Sequence, residues 1–136
     1  MKTNRPVLLV EDDTVDAMTV KRAFKELSIT NKVEHRLNGV DALDYLRKVE
    51  VKPCLILLDI NMPKMNGIEL LENLKEDDEL KTIPVVMLTT SNDDKDKLES
   101  YNLGVAGYML KPVDYQQFVQ VMRSVNMYWT LSELPD

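Results

Sequence analysis

The chain has 136 residues, of which 44% are hydrophobic, and its formal net charge is −6. A domain of this size can bury about two thirds of its unfolded surface, so an intrinsically disordered chain is excluded. No run of basic residues is present, which argues against non-specific binding to nucleic acid, because phosphate groups attract lysine and arginine. The single cysteine, Cys54, cannot form an internal disulfide and is expected to be a small buried residue.

The N-terminal stretch contains one short apolar run, Val7–Val10, which stops at the acidic residues 11–13. The run is too short for a signal peptide or a membrane span, so we expect a cytosolic protein. Its length suits a first strand. Apolar residues at helical spacing then predict the first helix: Ala17, Val20, Phe24 and Leu27.

The middle of the chain predicts two further strand–helix pairs. Residues 32–37 have the alternating character of a second strand, and Asn38 and Gly39 are expected to form a turn. The third strand is the apolar run Cys54–Leu58, which ends abruptly at Asp59. Apolar residues at helical spacing predict the second and third helices: Ala42, Leu43 and Leu46, then Ile68, Leu71 and Leu74.

The C-terminal part predicts the last two strands, Ile83–Leu88 and Ala106–Leu110. Between them, residues 92–103 are the least apolar helical stretch, and we expect a marginally stable helix that stops at Gly104. Its only side chains expected to pack are Leu98, Tyr101 and Leu103. The final helix has an apolar face, followed by large apolar residues: Phe118, Val121, Met122 and Val125, then Tyr128, Trp129 and Leu131.

Five strand–helix units with nearly continuous apolar strands predict a parallel sheet covered by helices on both faces. The predicted fold class is therefore α/β, a doubly wound, flavodoxin-like sheet of five parallel strands. We expect residues 1–136 to form one domain, whose tail, residues 127–136, either packs on the domain or forms an interface.

Polar residues follow the predicted strands, and the carboxyl ends of parallel strands meet at one edge of a sheet. The residues expected at this edge are Glu11, Asp12, Asp13, Asp59, Thr89 and Lys111. Carboxylates held close together repel one another, which favours a hard divalent cation such as Mg²⁺. No cluster of histidines and cysteines is present, so zinc is disfavoured. An aspartate beside Mg²⁺, with a lysine and a threonine nearby, suits phosphoryl transfer onto a carboxylate.

Each polar residue also has a purely structural interpretation. An aspartate such as Asp59 can simply end a strand in solvent, and Thr89 or Thr90 could cap the following helix. Tyr108 lies in an apolar run and could be an ordinary core residue. His35 stands alone in the second strand, and we interpret it as structural.

Four motifs in this order resemble the response-regulator receiver domain: LLVED, LLDINMPKMNG, LTTS and GYMLKP. The resemblance covers essentially the whole chain and is to the single-domain, chemotaxis-type members. The tail, with Tyr128, Trp129 and Leu131, also resembles the subset associated with bacterial phytochrome kinases. The resemblance implies a two-component phosphorelay protein in which Asp59 accepts a phosphoryl group from a histidine kinase, giving a 4-aspartylphosphate.

The resemblance also implies the roles of the other site residues. Glu11 and Asp12 would organise Mg²⁺, the backbone carbonyl of Asn61 would be a further ligand, and a contact from Asp13 is left open. The residues implied to respond to phosphorylation are the switch hydroxyl, the switch aromatic and the phosphate-contacting lysine: Thr89, Tyr108 and Lys111. The peptide bond before Pro112 is cis in the family.

Two other classes of protein use a similar fold. A phosphatase of the haloacid-dehalogenase type needs a second aspartate two residues after its nucleophile, where this chain has Asn61, which cannot act as a general acid. A flavodoxin-like cofactor binder needs a glycine-rich phosphate loop, and the chain has only 4 glycines. We therefore expect a signalling protein and not a turnover enzyme. Its output would be binding to a protein target or onward transfer to a histidine-phosphotransfer protein. A homodimer formed by the last helix and tail is a separate expectation.

Overall fold

The computed structural model describes residues 3–111 and 114–131, except for the side chain of Trp129. Strands and helices alternate along this part of the chain. The strands are β1 (Val7–Val10), β2 (Val33–Arg36), β3 (Leu55–Leu58), β4 (Val85–Thr89) and β5 (Gly107–Leu110). The helices are α1 (Thr14–Glu26), α2 (Gly39–Lys48), α3 (Gly67–Glu76), α4 (Asp94–Asn102) and α5 (Tyr115–Leu131). The expected cis bond before Pro112 and the last tail residues, 132–136, lie outside the described residues.

The strands form one parallel sheet in the order β2-β1-β3-β4-β5, which confirms the predicted fold. Strand β1 lies between β2 and β3, with Val10 opposite Arg36 on one side and Leu58 on the other. The chain order reverses between β1 and β3, and in such sheets ligands bind beyond the strand ends at this point. Residues that follow these two strands are therefore brought together.

Alternate residues of the central strands point to opposite faces of the sheet, and both faces are covered. Helices α2 and α3 contact each other on one face, whereas α1 and α5 contact each other on the opposite face. The first layer contains the strand residues Leu8, Val10, Ile56, Leu58, Val85 and Met87. The second contains Val7, Leu9, Leu55, Leu57, Val86 and Leu88. Burial on both faces explains why these strands read as continuous apolar runs.

Short polar side chains cap the N-terminal ends of the helices. Asn38 was expected in a turn with Gly39, but its side chain accepts a hydrogen bond from the amide of Asp41 and caps α2. An asparagine oxygen is well suited to an unpaired helix amide, which explains the difference. Asn66 forms a reciprocal capping box with Glu69 at the start of α3.

Strand β4 and helix α4 differ most clearly from their sequence-based predictions. Strand β4 begins at Val85 instead of Ile83, because Pro84 has no amide hydrogen for the strand ladder. Helix α4 is shorter than expected, and the side chains of Leu98 and Tyr101 are exposed instead of packed. Its buried residue is Ser100, whose hydroxyl donates to the carbonyl of Asp96 within the same helix.

Helix α5 continues to Leu131, so the large apolar residues near its end belong to the helix. Leu131 is 75% exposed, and Tyr128 is also exposed. Cys54 precedes β3, and its thiol is buried as expected. Within the described ranges, none of the helices combines the length and apolar composition needed to cross a membrane.

Candidate functional site

Three carboxylates meet where β1 and β3 end. The amide of Asp59 donates to the carbonyl of Val10 at 3.1 Å, so the ladder between β1 and β3 holds Asp59 beside the residues that follow β1. Oxygen atoms of Glu11, Asp12 and Asp59 all lie within 4.8 Å of one another. Glu11 and Asp59 are buried, whereas Asp12 is exposed. This three-carboxylate cluster is a concentration of negative charge that is partly shielded from water.

Lys111 provides the positive charge at the site. Its amide donates to the carbonyl of Thr89 at 2.9 Å, which extends the pairing of β4 with β5 and aims the chain at the cluster. Its ammonium group bonds to the carboxylate of Glu11, to Asp16 Oδ2 at 2.9 Å and to Asp59 Oδ2 at 3.3 Å. Lys111 is thus a buried side chain shared by three acids.

Asp16 was not identified from the sequence. It lies in the first turn of α1, and this helix begins directly after the end of β1. That position is the signal that could have found it, because the first turn of a helix starting at a strand end faces the same edge of the sheet.

Burial and neighbouring charges shift the pKa values of Glu11 and Lys111, which contact each other. Burial, opposed by the hydrogen bond from Lys111 and aided by the negative charge of Asp59, raises the pKa of Glu11 to about 7. Burial acts to lower the pKa of Lys111, but its hydrogen bonds to Glu11 and Asp16 outweigh this effect and raise it above the usual range. The lysine is therefore held as a cation among excess negative charge.

The donor set fits a hard divalent cation. Asp59 Oδ1 is buried and has no hydrogen-bond partner among the described residues, so this oxygen remains available as an acceptor. Oxygen ligands from carboxylates are those that Mg²⁺ and Mn²⁺ prefer. The three-carboxylate cluster can therefore hold such an ion together with water.

The loop from β3 to α3 is tightly folded against the site. A Cβ atom added at Gly67 would lie 2.3 Å from the carbonyl oxygen of Asp59, so only glycine permits this approach. Lys64 and Met65 adopt positive φ angles, 48° and 72°, and the carbonyl of Met65 accepts from the amide of Gly39 at 3.2 Å. Asn61 lies in the exposed part of this loop, two residues after Asp59, and its role as a ligand stays a prediction.

Asp13 has a structural role, unlike Glu11 and Asp12, which precede it in the sequence. Its side chain accepts hydrogen bonds from the amides of Val15 and Asp16 and so caps α1. Its own amide donates to Glu11 Oε2 at 3.2 Å. This arrangement accounts for the third acid in the row by helix capping.

The two predicted switch residues lie on β4 and β5. Thr89 is fully buried, and its hydroxyl accepts a hydrogen bond from the amide of Ser91 at 3.2 Å. Tyr108 is only partly buried, and its hydroxyl donates to the carbonyl of Ser91 at 2.8 Å, so it is not an ordinary core residue. Asp93 caps α4, which contradicts the alternative that Thr89 or Thr90 does so. Ser91 therefore links both predicted switch residues to the loop before α4.

This arrangement can perform one kind of chemistry without further residues. Asp59 is a buried carboxylate with one oxygen that has no hydrogen-bond partner among the described residues, Lys111 can neutralise charge on a transferred group, and the cluster can hold a cation. These parts are sufficient for phosphoryl transfer onto a carboxylate.

Comparison with known proteins shows which family the chain matches. The family model described as response regulator receiver domain matches residues 7–123. Response regulator Rcp1 of Synechocystis sp. is 34% identical over 128 residues, covering 90% of this chain and 87% of that protein. The probable methanogenesis regulatory protein FilR2 of Methanothrix harundinacea is 39% identical over 127 residues, covering 90% of this chain and 82% of that protein.

Solved structures give the same result at the level of the fold. The crystal structure of the phosphorylated cyanobacterial phytochrome response regulator RcpA superposes with a TM-score of 0.91 at 34% identity, covering 98% of this chain and 100% of that one. The Mn²⁺-bound form of response regulator Rcp1 superposes with a TM-score of 0.88 at 33% identity, covering 97% and 99% of the two chains.

Proposed function

Because the chain belongs to the response regulator receiver domain family, we propose that Asp59 accepts a phosphoryl group from a histidine kinase. Phosphorylation-dependent signalling in a two-component system is the function of this family. The observation that carries the assignment to Asp59 is its pairing with Lys111 at 3.3 Å, beside two further acids that complete a cation site. The modified residue would be a 4-aspartylphosphate.

The transfer itself is a displacement at phosphorus. An oxygen of Asp59 attacks the phosphorus atom of a phosphohistidine, the new P–O bond forms as the P–N bond breaks, and the imidazole nitrogen keeps the electron pair. The two oxygens of Asp59 can divide the roles of metal ligand and nucleophile between them, since Oδ1 has no hydrogen-bond partner among the described residues and Oδ2 contacts Lys111. Lys111 then neutralises charge on the phosphoryl oxygens. The chain supplies the acceptor, so we expect self-phosphorylation and slow autodephosphorylation in place of enzymatic turnover.

We expect the metal to be Mg²⁺. Glu11, Asp12 and Asp59 would hold it directly or through water, with the backbone carbonyl of Asn61 as a further ligand. When bound, the cation relieves repulsion among the carboxylates and stabilises the negative charge of the transferred group. A Mn²⁺-bound form of the related Rcp1 supports a divalent ion at this kind of site.

The signal would pass from the site through the predicted switch residues on β4 and β5. A phosphoryl group adds roughly one and a half to two negative charges, which would draw Thr89 and Lys111 toward it. Tyr108 would then rotate into the space that Thr89 leaves, giving up its bond to Ser91. Helix α4 is poorly anchored, since its only buried residue is Ser100, so it can shift at low cost.

The partners follow from this mechanism. We expect this protein to be cytoplasmic, with a histidine kinase of the phytochrome-associated type upstream and a protein target or a histidine-phosphotransfer protein downstream. A homodimer through α5 and the tail is a further expectation, supported by the exposure of Leu131 and Tyr128 on the last turns of the helix.

The test is Mg²⁺-dependent phosphorylation by a small acyl phosphate, located by mass spectrometry. Wild type should gain one phosphoryl group on the peptide that contains Asp59, and Asp59→Asn should gain none while melting at a similar temperature. The amide is nearly isosteric with the carboxylate but is a poor nucleophile. Equal labelling of both proteins would place the acceptor elsewhere and refute the proposal.

A further inference from the structure

The ammonium group of Lys111 has no hydrogen left for a new acceptor. An ammonium group has three N–H donors, and here each faces a different carboxylate, from Glu11, Asp16 and Asp59. Any phosphoryl oxygen that Lys111 contacts must therefore take the place of one of these three partners.

The three contacts differ in how easily water can replace the lysine. The Glu11 side chain is 3% exposed, so it would lose its partner in a poorly solvated position. The contact with Asp59 is given up in the reaction itself, because phosphorylation converts this carboxylate into an uncharged acyl group. Asp16 is 39% exposed, and its carboxylate can be hydrated as soon as the ammonium group leaves. Breaking a buried pair leaves an uncompensated charge, whereas breaking a half-exposed pair does not. Of the two carboxylates that keep their charge, Asp16 releases the ammonium group at the lower free-energy cost.

Asp16 is also placed independently of the three-carboxylate cluster. Its amide is held by the capping side chain of Asp13 at 3.1 Å, in the first turn of α1, where a negative charge is favoured by the helix dipole. Its backbone therefore stays in place, and its negative charge stays favoured, whether or not Lys111 is bound to it.

We infer that Asp16 is a positioning residue that binds the Lys111 ammonium group in the unphosphorylated protein and competes with the phosphoryl group for it. This inference rests on the proposed function of Asp59. Asp16 acts only through Lys111 and belongs to neither the cation site nor the nucleophile. Its competition weakens the phosphorylated form relative to the resting form, so it sets how readily the domain switches.

The expected change in affinity for a phosphoryl mimic follows from the exposure of the ion pair between Lys111 and Asp16. Half-exposed ion pairs contribute about 0–1 kcal/mol, which corresponds to an affinity change of up to about fivefold. Removing the charge of Asp16 should therefore increase the affinity for a phosphoryl mimic by about two- to fivefold at saturating Mg²⁺.

The experiment is a titration of beryllofluoride into wild type, Asp16→Asn and Asp16→Ala at saturating Mg²⁺, followed by NMR or intrinsic fluorescence. Both variants should bind the mimic more tightly than wild type. The matched control is Asp44→Asn, because Asp44 also pairs with a lysine on a helix, Lys48 at 3.0 Å, and its side chain is 61% exposed on α2. This control should bind the mimic as wild type does.

The outcomes separate the two proposals. A purely structural role for Asp16 would lower the melting temperature without raising the affinity, and unchanged or weaker binding in both Asp16 variants overturns the inference alone. No binding of the mimic by wild type would refute the proposed function and this inference together.

Discussion

The imidazole of His35 donates a hydrogen bond from Nε2 to the carbonyl oxygen of Glu11, at 2.8 Å. The acceptor is a carbonyl, so Nε2 must carry the hydrogen. The bond ties edge strand β2 to the peptide unit that joins Glu11 to Asp12. His35 is thus structural, as interpreted from the sequence, but it supports the part of the backbone that presents the two acids.

Replacing His35 should therefore change cation binding. His35→Met removes the donor at similar volume, and we expect Mg²⁺ affinity to fall by about two- to tenfold, the equivalent of one hydrogen bond. His35→Gln keeps an N–H near the position of Nε2 and should restore most of the affinity. Isothermal calorimetry with Mg²⁺ measures all three proteins. If His35→Met and His35→Gln bind equally, the hydrogen bond does not matter for the site.

Asp12 should be required for stabilisation by the cation. Asp12→Asn removes one carboxylate from the cluster, so the metal-free protein should become more stable because repulsion is reduced. If Mg²⁺ binding weakens about tenfold, the metal-induced stabilisation at high Mg²⁺ falls by about 1.4 kcal/mol. Calorimetric melts with and without Mg²⁺ decide this, and equal metal-induced shifts in both proteins would argue against Asp12 as a ligand.

The raised pKa of Glu11 predicts how stability depends on pH. Its pKa is about 7 in the folded metal-free protein against an ordinary value of 4.5, so the folded state binds the proton more tightly than the unfolded state. This contribution to stability is complete below the unfolded pKa and is lost as the pH rises through the folded pKa, near neutrality. Melts of the metal-free protein should therefore show its stability decreasing from acidic to mildly alkaline pH.

Two further measurements test this origin of the pH dependence. Added Mg²⁺ should stabilise most at the alkaline end, where the Glu11 carboxylate is ionised and the proton no longer competes. In Glu11→Gln the pH dependence should become flatter across the same range. A profile of unchanged slope in that variant would assign the effect to another group.

Gly67 should not tolerate a side chain. In Gly67→Ala the new methyl group would meet the Asp59 carbonyl at 2.3 Å and Ile60 Cα at 2.9 Å, so the loop must move. We expect a loss of about 1–3 kcal/mol of stability, with weaker labelling of Asp59. Gly107→Ala is the matched control, because its Cβ would lie 3.7 Å from Val86, an ordinary contact. Denaturant unfolding compares the two, and equal losses would contradict the steric argument.

The exposed end of α5 should mediate self-association. Leu131 is 75% exposed, and Leu131→Ser should shift a dimer toward monomer in analytical ultracentrifugation. Val15→Ser is the matched control, since Val15 is 69% exposed on α1 and should leave the dimer intact. Wild type that stays monomeric at high micromolar concentration, with and without beryllofluoride, would exclude the interface and leave α5 as a helix of the domain alone.

The sequence predicted the fold because central strands buried on both faces leave an unmistakable apolar run, as in β1 and β3. The same reasoning located Glu11, Asp59 and Lys111, since each directly follows a strand. It missed Asp16, because this reasoning covers only residues directly after a strand, whereas Asp16 lies in the first turn of the helix that follows β1 and contacts Lys111 across 95 positions.

For helix α4, the sequence predicted the wrong side chains to be buried. Leu98 and Tyr101 were expected to pack because they are the large apolar residues of that stretch, yet both are exposed. Hydrophobic spacing identifies a helix but does not identify which face meets the sheet when few apolar residues are present. Here the small residue Ser100 faces inward, which the pattern could not indicate.

The burial of Cys54 also makes the chain convenient for spectroscopy. The residue is 5% exposed, its thiol donates to the carbonyl of Arg5, and burial raises the pKa of the thiol, so little reactive thiolate is present. A maleimide dye or spin label should therefore ignore the native cysteine in the folded protein. One new cysteine on exposed α4, at Leu98 for instance, could then carry a probe and report movement of that helix in real time without removal of the natural residue.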